Sequence, residues 1–184
     1  VLVAFGIFAM TSFLEEIQQQ LKQDSLIDPL TGLFNRRGLQ EAVAASLAYV
    51  KRHQHTGALL MIDIDHFKSI NDQWGHDIGD HVLFEVAQSL KRQLRQSDIL
   101  ARVGGEEFLI FLPMIDKAEA QLTAERLLAS IIQVKLADLP QSYLLTISIG
   151  ISMTTADYDL ELQRAQADHA LYQAKHLGRN RIEF

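Results

Sequence analysis

One segment near the middle of the chain limits the fold more than any other. The stretch from Gly57 to Asp65 is apolar at almost every position, and its carboxylates, Asp63 and Asp65, stand only at its C-terminal end. Because successive side chains of a strand point to opposite faces, a strand that is apolar on both faces must be covered on both sides. The segment therefore predicts a central strand with acidic groups at one end.

Patterns typical of helices and strands alternate along the rest of the chain. Helical patterns cover residues 35–52, 66–73, 81–95, 118–132 and 160–176, with Asn35 as the predicted cap of the first helix. Strand patterns cover residues 57–65, 99–103, 107–112, 143–153 and 181–184, and a Gly/His/Asp-rich loop is predicted over 74–80. Gly104-Gly105 between two short strands indicates a hairpin. This order predicts an α/β fold (an α+β sandwich): a mixed central sheet flanked by helices, whose β-hairpin carries the Gly-Gly-Glu-Glu turn.

Residues 1–25 have a different character from the rest. The first 14 residues are uncharged, but this stretch is too short for a membrane span, which needs about 20 apolar residues. A stump of a transmembrane helix, a coiled-coil helix and a single amphipathic helix lying on its own domain all remain open. We predict an N-terminal signalling helix, or a truncated transmembrane or coiled-coil segment, over 1–25 and one domain over 26–184, because Asp28-Pro29 disfavours continuing a helix. The coiled-coil reading rests on a 3-4 spacing of apolar residues at Ile7, Met10, Leu14, Ile17 and Leu21.

Composition excludes several classes of protein. The chain has no cysteine, which excludes disulfides and thiolate metal sites and fits a cytosolic compartment. Its formal net charge is −6 and no basic face is evident, so a nucleic-acid partner is not expected. An acidic protein can still bind a nucleotide, because bound metal ions screen phosphate from carboxylate.

Asp63 and the turn Gly104-Gly105-Glu106-Glu107 carry the residue types of a metal-dependent phosphate site. Carboxylates at a strand end and on a neighbouring hairpin can converge on Mg²⁺, which prefers oxygen ligands and often shares them with substrate phosphates. Glycines let the backbone approach a phosphate closely. Taken alone, the pattern still favours a surface hairpin with solvated acids.

Four segments in the same order resemble the motifs of the GGDEF family of diguanylate cyclases, in its Gly-Gly-Glu-Glu-Phe variant. The resemblance runs from about residue 26 to the C-terminus, and chance agreement of four ordered motifs is negligible. It implies a nucleotide-cyclase, palm-like fold and an enzyme that condenses two GTP into cyclic di-GMP and two pyrophosphates. The segments are Asp28–Arg36 (DPLTGLFNR), Asp63–Asp80 (DIDHFKSINDQWGHDIGD), Gly104–Phe108 (GGEEF) and Ala167–Arg181 (ADHALYQAKHLGRNR).

The resemblance also implies the catalytic and metal residues. Two Mg²⁺ ions, with Mn²⁺ as a substitute, would be bound by the carboxylates of Asp63 and Glu106 and by the backbone carbonyl of Ile64. Glu106 would also take the proton of the attacking 3′-hydroxyl, and Glu107 would support the metal site. Asp65 shares a strand face with Asp63 and is expected to shape the turn that follows.

The substrate residues implied by the resemblance fall into two groups. Asn71 and Asp80 would read guanine, because an aspartate accepts from N1–H and the N2 amino group together and adenine offers neither donor. The triphosphate and its surroundings would be contacted by Lys68, His76, Gly104, Gly105, Lys175 and Arg179. Helix-end charges that complement the dipole would equally explain the last two, and a loop histidine is more often structural.

Arg95-Gln-Ser-Asp98 precedes Gly104 by six residues, counted from Asp98. In the family that it resembles, this motif and spacing form an inhibitory product site, to which Arg102 would add a contact. An arginine can fork onto O6 and N7 of guanine. The alternative is a surface arginine followed by a turn aspartate.

The resemblance implies a homodimer for catalysis, because each GTP must attack the other and a self-complementary dimer is the natural twofold solution. The N-terminal segment would then set how often the two sites meet. The catalytic domain is expected in the cytoplasm, with the full-length protein anchored to the inner membrane through a region before Val1. A silent module that only binds cyclic di-GMP and another class of nucleotide cyclase are the rival functions. Silent members usually lose the glycine turn, which this chain keeps.

Overall fold

The computed structural model describes residues 25–52, 55–140, 142–154 and 159–184. The predicted seam at residues 7–21 and nearly all of the predicted N-terminal segment, residues 1–24, therefore lie outside the described residues. In the part that is described, no helix is long and apolar enough to cross a membrane. The helices are α1 (Arg36–Arg52), α2 (Phe67–Trp74), α3 (His76–Arg92), α4 (Lys117–Ile132) and α5 (Leu160–His176), and the strands are β1 (Gly57–Ile64), β2 (Ile99–Arg102), β3 (Glu107–Pro113), β4 (Ile147–Thr154) and β5 (Ile182–Glu183).

The strands form one five-stranded sheet in the order β2-β3-β1-β4-β5. β1 lies in the centre and pairs antiparallel with both β3 and β4. β2 and β3 form the antiparallel hairpin, and β5 pairs parallel with β4, so the sheet is mixed. The predicted central position of the Gly57 strand and the predicted hairpin are confirmed.

The apolar side chains of β1 divide between two cores, one on each face of the sheet. Ala58, Leu60, Ile62 and Ile64 belong to the larger core, which α2, α3 and α4 cover. Leu59 and Met61 belong to the smaller one, under α1 and α5. Every residue of β1 is buried. The strand end that carries Asp63 is therefore held rigidly from both sides.

Side-chain caps begin several of the helices, and the predicted cap Asn35 is one of them. Asn35 precedes α1, and its side-chain oxygen accepts a hydrogen bond from Gly38 N at 2.9 Å. Asp116 and Glu119 form a reciprocal capping box at the start of α4. Such caps satisfy backbone N–H groups that the first turn of a helix leaves without a partner.

The prediction of a loop over 74–80 is wrong, because only Gly75 interrupts the helical chain there. Gly75 has φ of 86°, a value that favours glycine, and α3 begins at the next residue, His76. Asp77 lies in the first turn of α3, where a negative charge is favourable. The predicted strand over 143–153 also begins later, at Ile147. Tyr143 instead closes a turn onto Pro140 and packs edge-on against Trp74, with ring centroids 5.1 Å apart.

Gly150 on β4 permits the close packing of α5 on the sheet. A Cβ built on Gly150 would meet backbone atoms of Ala167 and Leu171 nearer than the 3.0 Å that real Cβ atoms keep. We expect Gly150→Ala to lower the free energy of unfolding by about 3 kcal/mol, because backbone cannot yield as a side chain does. The melting temperature should fall by about 6–12 °C. Gly105→Ala, where a Cβ would meet nothing within 4 Å, is the matched control and should melt close to the wild type. Equal melting temperatures for both variants would contradict this account.

Candidate active site

The acidic end of β1 and the turn of the β2–β3 hairpin lie side by side. The register pairs Asp63 with Glu107 across the sheet, and Ile64 N donates a hydrogen bond to Glu106 O at 3.3 Å. The antiparallel pairing of β1 and β3 therefore brings Asp63 to Glu106 and Glu107, which stand more than 40 residues further along the sequence. The sequence predicted this convergence of Asp63 with the glycine turn.

Burial raises the pKa of two carboxyls at this end of the sheet, those of Asp63 and Glu106. Asp63 is 4% exposed, and its burial raises the pKa of its carboxyl above the usual range, while Lys175 opposes this rise. Burial, followed by the nearby charge of Asp63, raises the pKa of Glu106 as well. A cluster of this kind attracts a cation, because a cation relieves the repulsion among the carboxylates.

Lys175 reaches this cluster from the last turn of α5. Its Nζ lies 2.7 Å from Asp63 Oδ2. Arg179 lies just beyond the helix, in a turn where Gly178, Arg179 and Asn180 all have positive φ. The structure thus brings Lys175 to the carboxylates, and it places exposed Arg179 four residues further along the chain.

Asp65 has a larger structural role than the sequence predicts. It is 3% exposed and accepts hydrogen bonds from Thr146 Oγ1 at 2.7 Å, Ser148 Oγ at 2.7 Å and Asn180 N at 3.0 Å. Beyond the predicted role in the turn that follows, which stays a prediction, Asp65 ties the end of β1 to β4 and to the C-terminal turn. The available signal was a charged residue in a buried strand, which must find partners.

The glycine turn is closed by backbone hydrogen bonds and packs against the side chain of Glu107, without unusual backbone angles. Val103 N donates to Glu107 O at 2.9 Å, which closes the turn. Neither Gly104 nor Gly105 has φ in the left-handed region that two-residue hairpin turns use. At Gly104 the side chain of Glu107 occupies the space that a Cβ would take. Gly104 therefore keeps Glu107 close against the turn, and Gly105 remains exposed.

Arg102 does not line the predicted product site in this structure. Its guanidinium donates to Gly105 O at 2.7 Å and 3.1 Å, and to the carboxylate of Asp28 at 3.3 Å. Burial raises the pKa of Asp28, but hydrogen bonds from Thr31 and the charge of Arg102 more than offset this and hold it below its usual range. Arg102 thus connects the loop that opens the domain to the glycine turn. The predicted contact of Arg102 with a bound product stays a prediction, and in the protein alone its guanidinium is engaged by Asp28 and the glycine turn.

The residues predicted to read guanine lie where α2 meets α3. The side-chain oxygen of Asn71, on α2, packs against Gly79, one residue before Asp80 on α3. This oxygen is buried and has no hydrogen-bond partner in the protein. Asp80 and His76 are exposed on the first turns of α3, and Lys68 is exposed on α2. An unpaired buried acceptor beside an exposed carboxylate suits a polar ligand.

Arg95 and Asp98 lie in a turn after α3, on the rim of a groove of about 420 Å³. Asp98 Oδ2 accepts a hydrogen bond from Arg95 N at 2.8 Å, which fixes the turn. Leu33, Leu94 and Leu100 supply apolar surface to the groove. The structure therefore brings Arg95 and Asp98 together on a concave surface, away from Asp63 at the end of β1.

The donor set at the end of β1 fits a magnesium ion. Among the described residues, no three His, Cys, Asp or Glu side chains form a complete metal cage. Mg²⁺ does not require one, since it is usually bound by one or two carboxylates together with substrate phosphates and water. The carboxylates of Asp63 and Glu106 and the carbonyl of Ile64 would hold it.

Comparisons with known proteins identify the family to which the sequence belongs. The sequence model of the family described as "Diguanylate cyclase, GGDEF domain" matches residues 25–181. Diguanylate cyclase DgcP of Pseudomonas aeruginosa is 42% identical over 164 residues, covering 88% of this chain and 24% of that protein. Diguanylate cyclase DosC of Escherichia coli is 38% identical over 174 residues, covering 94% of this chain and 38% of that protein. The chain thus spans roughly a quarter to two-fifths of the length of these curated relatives.

Solved structures show the same fold. The coiled coil and GGDEF domain of DgcB from Caulobacter crescentus, in complex with c-di-GMP, superposes with a TM-score of 0.80 at 30% identity, covering 97% of this chain and 95% of that chain. The active GGEEF domain of a diguanylate cyclase from Vibrio cholerae superposes with a TM-score of 0.75 at 34% identity, covering 86% and 97%. With the mixed sheet, the acidic strand end and the glycine hairpin in place, the chain belongs to the diguanylate cyclase GGDEF domain family.

Proposed function

We propose that the chain is the catalytic domain of a diguanylate cyclase, which condenses two GTP into cyclic di-GMP and two pyrophosphates. The observation that carries this proposal is the meeting of Asp63, Glu106 and Lys175 at one end of the sheet, beside an intact glycine turn. The printed names of the relatives, both diguanylate cyclases, support it. The cyclic di-GMP bound to DgcB supports the same nucleotide class.

The chemistry follows from the residues at this strand end. When bound by Asp63, Glu106 and the Ile64 carbonyl, Mg²⁺ ions supply positive charge to the reacting phosphate, and Mn²⁺ would substitute. The carboxylate of Glu106 accepts the proton of the 3′-hydroxyl as the general base. The 3′-oxygen then bonds to the α-phosphorus of the other GTP, and the bond to pyrophosphate breaks. Glu107, held against Gly104, supports the placement of Glu106.

Binding of the substrate uses two groups of residues. Asn71 and Asp80 read guanine at the junction of α2 and α3, with His76 nearby. The triphosphate extends toward the end of β1, where Lys68, Lys175 and Arg179 provide positive charge and the exposed Gly105 lets the backbone approach. One site holds one GTP, so two domains must face each other about a twofold axis. The N-terminal segment would bring two copies together, and a preceding region would supply any membrane anchor.

A product assay tests the proposal directly. The protein is incubated with GTP and magnesium, and the nucleotides formed are separated and identified by mass. Cyclic di-GMP with pyrophosphate is the expected result. The rival function is a silent module that binds cyclic di-GMP, and the groove beside Arg95 is the observation that would support it. Binding of cyclic di-GMP without any turnover of GTP would establish that rival and overturn the proposal.

We further propose that cyclic di-GMP inhibits the enzyme at the groove of Arg95 and Asp98. Arg95→Ala should raise the product concentration needed for half-inhibition about ten- to a hundred-fold, because it removes a bidentate guanine contact. Basal turnover should persist, since Asp63 and Glu106 are untouched. Arg92→Ala is the matched control: it removes the same charge one turn earlier, at a residue outside the groove. Product-inhibition curves for the three proteins provide the measurement. Equal inhibition of wild type and Arg95→Ala, or inhibition that vanishes as GTP rises, would place the product in the active site instead.

A further inference from the structure

The ion pair between Lys175 and Asp63 joins two residues that are proposed to bind different ligands. Asp63 is proposed to bind the metal, and Lys175 is proposed to bind the triphosphate. Yet Lys175 Nζ lies 2.7 Å from Asp63 Oδ2, within charge-assisted hydrogen-bond distance. An ammonium and a dication bound to one carboxylate repel each other, so each of the two weakens the other.

We propose that Lys175 is an internal counter-cation of Asp63, which gives up that carboxylate to the divalent metal when the triphosphate draws its ammonium away. This inference rests on the metal site of the proposed function. It goes beyond it by making metal and nucleotide binding interdependent through one side chain.

The carboxylate needs such a partner because it is buried. The side chain of Asp63 is only 6% exposed, and the charges of Glu107 and Asp65 act on it in the same unfavourable direction as burial. A buried charge without a partner destabilises a protein strongly. Lys175 supplies the compensating charge from the protein itself.

Lys175 is also built to move while Asp63 is not. Asp63 lies on the central strand of the sheet, between two strands that pair with it. Lys175 stands in the last turn of α5 on a flexible four-carbon stem, with 33% of its side chain exposed. The hydrogen bond from Asn180 N to Asp65 holds the backbone that follows the helix. The ammonium can therefore swing from Asp63 to a phosphate without any change in the fold.

This exchange makes the two binding events reinforce each other. Without nucleotide, metal binding must displace an ammonium from Asp63, which lowers metal affinity. With nucleotide, the ammonium has a phosphate partner and the competition is relieved. By linkage, the metal then raises nucleotide affinity by the same factor.

The test measures Mn²⁺ binding to the protein without nucleotide, by electron paramagnetic resonance of the free ion. We expect Lys175→Met to bind Mn²⁺ about tenfold more tightly than the wild type, within the usual range of coupling between sites. Lys135→Met, which removes the same charge from an exposed residue just after α4, is the matched control and should stay near wild type. Asp63→Asn should abolish the tight binding of the Lys175→Met background. A non-hydrolysable GTP analogue should raise the Mn²⁺ affinity of the wild type more than that of Lys175→Met.

Equal or weaker Mn²⁺ binding by Lys175→Met, with normal binding by the wild type, would overturn the counter-cation role and leave the metal site standing. Absence of Mn²⁺ binding in every protein would overturn both. If Lys175→Met binds Mn²⁺ more tightly while the wild type forms no cyclic di-GMP from GTP, the inference is supported and only the proposed activity is overturned. Methionine is a strong helix former, and thermal unfolding in chelator confirms that the variant is folded. Lys175→Gln serves as a second variant with the same expected result.

Discussion

Glu106→Gln is expected to reduce the formation of cyclic di-GMP by about a thousand-fold or more, a loss of about 4 kcal/mol of transition-state stabilisation. The amide keeps the shape of the side chain but loses the charge that would bind metal and the basicity that would accept the 3′-hydroxyl proton. Glu106 lies within the electrostatic reach of Asp63, so neutralising it relieves repulsion in the cluster. The variant should therefore melt at or above the wild-type temperature.

The measurement combines a steady-state assay at saturating magnesium with thermal unfolding. Glu125→Gln is the matched control, because Glu125 is an exposed carboxylate on α4 that bonds to Gln121 at 3.0 Å, away from the hairpin. It should retain wild-type turnover. Near-normal turnover in a folded Glu106→Gln protein would show that Glu106 is neither base nor metal ligand. Lost turnover with a lowered melting temperature would show that Glu106 acts on the fold.

The second large effect concerns the choice of nucleotide. The wild type is expected to use GTP over ATP by about 10⁴-fold in kcat/KM, since adenine lacks the donors that Asp80 would accept. Asp80→Ala should lower kcat/KM for GTP about a hundred-fold, through the loss of two hydrogen bonds to a charged acceptor. Its kcat/KM for ATP should change little. The ratio between the two nucleotides should therefore shrink.

Asp77→Ala is the control for this experiment. It removes a carboxylate from the first turn of the same helix, α3, three residues before Asp80. Loss of the Asp77 carboxylate should remove only its favourable interaction with the dipole of α3, at a cost of about 0.3–1 kcal/mol in stability. Conversion of ATP as readily as GTP by the wild type would contradict the guanine assignment of Asn71 and Asp80. Equal losses for Asp77→Ala and Asp80→Ala would point to the helix rather than to a base contact.

Local patterns were sufficient for most of the elements. The apolar run of β1 predicted a strand covered on both faces, and the bounds of α5 agree with the predicted 160–176. The segment 74–80 was mispredicted because its glycines and polar residues are typical of loops, whereas a single positive φ at Gly75 is enough to separate two helices. Its remaining residues pack as the start of α3, and packing overrides a weak local propensity.

The contacts inside the site could not be predicted in the same way. The hydrogen bond from Asn180 N to Asp65, the guanidinium of Arg102 on Asp28 and the ammonium of Lys175 on Asp63 all join residues far apart in the sequence. The hydrophobic periodicity of the sequence cannot predict such a pair, because it describes one helix or strand at a time. Arg102 illustrates the consequence: the sequence does not indicate that its side chain contacts Asp28 and the glycine turn.

The sequence by itself determined the family, the alternation of helices and strands, and the residue types that meet at the acidic strand end, because motif order and hydrophobic patterning are local and one-dimensional. Only the tertiary structure decided which of these side chains are partners. Antiparallel pairing of β1 with β3 sets Glu107 opposite Asp63, and the packing of α5 on the sheet through Gly150 brings Lys175 to the same carboxylate. A buried charge needs a partner, and the fold decides which distant residue supplies it.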